Sequence, residues 1–95
     1  MATRFIIEDT DHAQSLSQHG SLAEAWVELR RLSGIPWDQA PNIAPCTGWR
    51  TCGRSYEIIE FDTSLDPWRE VQRVSGFGIR ALGVVWAPDA QRDEP

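Results

Sequence analysis

Between Cys46 and Tyr56 the chain reads Cys-Thr-Gly-Trp-Arg-Thr-Cys-Gly-Arg-Ser-Tyr, and this stretch holds most of its chemically capable side chains. Two thiols, an indole, two guanidinium groups and a phenol in so short a span exceed what a plain connection needs. Cys46 and Cys52 have five residues between them. That spacing is neither a C-x-x-C redox pair nor a zinc-knuckle half, so reduced, inert thiols are the first reading. A reversible disulfide closing a small loop is the second, since Gly48 permits a turn and Arg50 and Arg54 favour a thiolate. His12 and His19 could complete a four-ligand metal set or supply a base to Cys46, but both sit near a different predicted strand. No metal or cofactor is therefore expected.

Trp49, Arg50, Arg54 and Tyr56, with Trp37 upstream, are the residue types that dominate protein-binding hot spots. Aromatic faces and guanidinium forks give large contact areas for little lost entropy. The competing reading is structural: Trp37 and Trp49 plug an open end of the core while Arg50 and Arg54 pair with Asp38, Glu57 or Glu60. Trp26 and Trp86 fall in a helix face and a strand, where core packing is the default. The acidic run Glu8, Asp9 and Asp11 reads as a solvated strand end, or as a seat for a cation or a basic partner.

One apparent motif carries no chemistry. Gly76-Phe77-Gly78-Ile79-Arg80-Ala81 spells G-x-G-x-x-A, yet a dinucleotide site needs a helix and a second strand beyond it, and fourteen residues follow Ala81. No nucleophile, base and acid are assembled by spacing, so the chain reads as non-catalytic.

Composition narrows the class. In 95 residues, 41% hydrophobic and 24% charged, the balance is that of one globular domain without need of a metal or disulfide. The net charge is -5 and the pI about 4.8, which disfavours direct nucleic-acid or anionic-membrane binding and favours a basic partner. All nine cations are arginine. Schiff-base chemistry and a P-loop lysine are thereby excluded. The N-terminal residues show no signal-peptide or membrane-span pattern, so a cytoplasmic location with reduced thiols is expected.

The rest of the chain must supply the elements that position these residues. Arg4 to Asp9 alternates as a strand, and Thr10 to Gly20 reads as a polar loop. Ser21-Leu22-Ala23-Glu24 is a capping box opening a helix whose Leu22, Ala25, Trp26, Leu29 and Leu32 share one face. Gly34 is expected to end it in the left-handed C′ position, with Pro36 beyond. Residues 35–54 lack any period and read as a long ordered loop wrapped on the body. Tyr56 to Asp62 is the best strand pattern. Asp66-Pro67 with Trp68, Val71 and Val74 predicts a short helix from Pro67 to Ser75. Phe77 to Ala87 suits one strand bent at a glycine, or two short ones. Residues 89–95 are a polar tail expected to fray outside an ordered core of about 3–88.

The resulting expectation is an α+β domain over residues 1–95, with a three-stranded, mainly antiparallel sheet, one main amphipathic helix packed on it and order β-α-β-(short α)-β. Its function is expected to be that of a small acidic protein-binding module: an inhibitor, an immunity protein or an adaptor. By analogy, it would suit a phage-type inhibitor that masks a basic, nucleic-acid-binding host protein. The alternative is a thiol-based redox or metal-sensing protein centred on Cys46 and Cys52. A homodimer through a sheet edge is a further possibility for partners.

Overall fold

The computed structural model describes residues 2–45 and 53–88. The chain runs β1 (Thr3–Asp9), β2 (Gln14–His19), α1 (Leu22–Ser33), β3 (Arg54–Asp62), β4 (Arg69–Arg80) and β5 (Gly83–Trp86). The strands form one antiparallel sheet in the order β2-β1-β3-β4-β5. This corrects the expected three-stranded α+β domain: the described chain is mostly β, with five strands and one helix.

The helix forms as its sequence dictates. Ser21 Oγ accepts the Glu24 amide N–H at 3.1 Å, and Glu24 Oε1 reaches back to the Gly20 amide at 3.1 Å. Two amides at the open helix end are thus satisfied. Ala25, Trp26, Leu29 and Leu32 are buried on the face turned to the sheet. They meet Ile7, Tyr56, Ile58, Phe77 and Ile79, which together make the core. Gly34 closes the helix with φ -91°, an ordinary right-handed geometry rather than the expected left-handed one.

The two strands beyond the expected three come from stretches misread for identifiable reasons. Gln14-Ser15-Leu16-Ser17-Gln18-His19 is almost wholly polar, yet it pairs with β1 as an edge strand whose exposure tolerates polar side chains. Ala13 turns the hairpin with φ 53°. The expected helix over Pro67 to Ser75 is instead the first half of β4, paired with β3. A bulge interrupts the pairing: Glu60 faces Gln72 and Phe61 faces Glu70, leaving Val71 as the extra residue. Ser64, which preceded the supposed helix, instead donates its amide and hydroxyl to Asp62 Oδ1. Those two donors hold the Asp62 carboxyl below its usual range. Phe77 to Ala87 resolves as two strands, joined through Gly83 at φ +125°.

Among the described residues the helix covers one sheet face. On the face away from α1, Arg73 lies within 2.8 Å of Glu70, 3.1 Å of Glu57 and 3.5 Å of Glu8. Three carboxylates around one guanidinium make that face acidic, and the hydrogen bonds to Glu70 and Glu57 raise the Arg73 pKa. Among the described residues no helix is long and apolar enough to cross a membrane.

Candidate functional site

At the end of the sheet where β1 stops and β3 starts, Asp9 has no exposed surface. Its Oδ1 accepts the amides of Asp11 at 3.1 Å and Ser55 at 3.0 Å. Oδ2 lies 2.8 Å from Arg54 Nη1 and 2.7 Å from His12 Nδ1. A buried carboxylate is tolerable only when its lone pairs are answered in this way.

Arg54, 9% exposed, spends its guanidinium in three directions. Nη1 also donates to Gln14 Oε1 at 2.6 Å. Nε and Nη2 both donate to the Ile43 carbonyl, at 3.2 and 2.9 Å. One planar fork therefore ties β1, β2 and the loop after α1 to the first residue of β3. Tyr56, 1% exposed, extends the bracing: its hydroxyl donates to Asn42 Oδ1 at 2.8 Å. Asn42 in turn donates Nδ2 to the carbonyls of Leu32 and Ile35, both at 2.8 Å. Burial pushes the Tyr56 pKa up to about 12, against the opposing pull of Arg54.

The residues singled out by sequence thus separate. Arg54 and Tyr56 are brought together, with side chains engaged inside the protein, and Arg54 pairs with Asp9 rather than Asp38, Glu57 or Glu60. Trp37 is half-buried and packs against the core from the loop after α1. Trp49, Arg50, Cys46 and Cys52 lie outside the described residues. The acidic run is dispersed: Glu8 faces Arg73, Asp9 is internal, and Asp11 accepts from Ser55 Oγ at 2.8 Å and Arg80 at 3.0 Å.

His12 and His19 stand at opposite ends of β2, His12 against Asp9 and His19 with its Nε2 2.8 Å from Ser17 Oγ. Among the described residues no three His, Cys, Asp or Glu side chains are grouped to hold a metal ion. Gln14 and Asn42 were invisible to sequence reasoning, because each lies in a polar run and acquires meaning only from a partner distant in sequence. The one signal for Asn42 was its place in a loop rich in apolar residues.

These contacts make a mount. Arg54 and Tyr56 fasten Asn42 and Ile43 on one side of residues 46–52, and β3 begins directly on the other. Comparison with protein-family models, with curated proteins and with solved structures returns no match.

Proposed function

We propose that the protein is a small, acidic, non-catalytic binding module acting in the cytoplasm, which presents residues 46–52 to a protein partner. Trp49 and Arg50 are its contact anchors, while Arg54 and Tyr56 serve as the frame behind them. The observation that carries this reading is the double hydrogen bond from Arg54 to the Ile43 carbonyl, which clamps the two approaches to the segment. Holding the ends of a binding segment lowers the ordering entropy that association must overcome. A net charge of -5 supports a basic partner surface.

The test is capture from a lysate of the source organism by three tagged proteins: the parent, a Trp49→Ala/Arg50→Ala variant and a Cys46→Ser/Cys52→Ser variant. The expected outcome is a partner held by the parent and the serine variant and lost by the alanine variant, whose fold is checked by circular dichroism. Equal capture by the parent and the alanine variant would remove Trp49 and Arg50 as anchors. Loss in the serine variant alone would favour thiol chemistry.

A further inference from the structure

The sheet has a step in its edge. β5 covers only the second half of β4, pairing Phe77 to Arg80 with Gly83 to Trp86, and the Ala87 amide extends the ladder to the Gly76 carbonyl at 2.8 Å. Among the described residues nothing pairs with 69–75 on the side away from β3. A row of backbone donors and acceptors is left open, the ordinary template for strand addition. Lysine and proline, which commonly blunt such edges, are absent from 69–75.

We infer that this bare half of β4 is a dimerisation edge, occupied by the same segment of a second copy running antiparallel about a two-fold axis between Val71 and Gln72. Three observations select a second copy. The first is the side pattern: Arg69, Gln72 and Val74 stand opposite Asp62, Glu60 and Ile58 on the helix side, whereas Glu70 and Arg73 stand opposite Phe61 and Ile59 on the other. Read in either direction about the 71–72 centre, the order is the same, so both copies place their helices on one side. The bulge at Val71 falls at that centre and bends both strands alike.

The second observation is charge. This register puts Glu70 opposite the partner's Arg73 and Arg73 opposite the partner's Glu70, giving two symmetric cross-strand pairs. The third is where the pairing must stop. Continuing the register sets Pro67 of one copy against Gly76 of the other, whose carbonyl already accepts from Ala87. Proline has no amide to donate, so the ladder stops there. The exposed side chains of Val71, 45% accessible, and Trp68, 43%, then come to lie along the joint.

The experiment is sedimentation equilibrium of the full chain from dilute to near-millimolar concentration, paired with amide hydrogen exchange. The expected result is a mass rising from 10.7 kDa toward twice that value. Protection of amides in 69–75 should rise in parallel. Arg73→Glu sets like charges opposite each other twice and should weaken association about tenfold or more. Glu70→Arg combined with Arg73→Glu should restore it. Val71→Lys, on an exposed site, should yield a folded monomer. A monomer throughout the concentration range overturns the inference. So does a dimer indifferent to Val71→Lys and the charge swap, or protection of 69–75 independent of concentration, since the edge would then be satisfied within one copy.

Discussion

A carboxylate without exposed surface cannot fall back on water, and one of the four contacts of Asp9 is the Arg54 guanidinium. Arg54→Ala should therefore cost about 3 to 5 kcal/mol in urea unfolding, because it strands Asp9 as well as freeing Ile43. Arg54→Lys should recover little of this, since a single ammonium cannot reach Asp9, Gln14 and the Ile43 carbonyl together. Recovery to near the parent's stability would show that charge alone matters here. Tyr56 offers a direct optical test, being the only tyrosine in the sequence. Its tyrosinate absorbance should appear with a midpoint near 12 in the folded protein and near 10 in urea. An acid whose folded pKa is raised keeps its neutral form on folding. Its contribution is complete below the unfolded value and lost as pH rises through the folded one, so stability should fall between about pH 10 and 12.

At the scale of elements, α1 should answer mutation face by face. Leu29 has no exposed surface, and Leu29→Ala should cost about 2 to 5 kcal/mol. Val27→Ala, at a residue 59% exposed, should change stability by about 0.5 kcal/mol or less. Chemical denaturation of both variants checks this, and equal losses would contradict the packing described. This helix was legible because its information is local: a capping box opens at Ser21, and a 3.6-residue period runs through the twelve residues that follow. β1 and most of β3 were legible for the same reason. β2 was not, since a polar edge strand borrows its structure from the β1 backbone. The first half of β4 was misread because Trp68, Val71 and Val74 fall at helical spacing, and β3 decides the matter only through pairing. The site was legible in residue type but not in role. Arg54 and Tyr56 stand out by composition, but that Arg54 braces Asp9, 45 positions away, is a property of the sheet order.

For the molecule as a whole, the strand order has a consequence for how the chain is made. β1 leaves the ribosome just ahead of its neighbour β2 and can pair with it at once. Its other neighbour is β3, so Ile7 must wait for Ile58 and Asp9 for Tyr56. Until residue 62 or so has been synthesised, the hairpin and the helix have no central strand on which to close, and their apolar faces remain open. Contacts of such long sequence separation slow folding and lengthen exposure to other nascent chains. A vectorially synthesised copy thus commits to its native core only after β3 has followed β1, β2 and α1 off the ribosome. The segment that supplies the central strand is the one that follows the two cysteines in sequence.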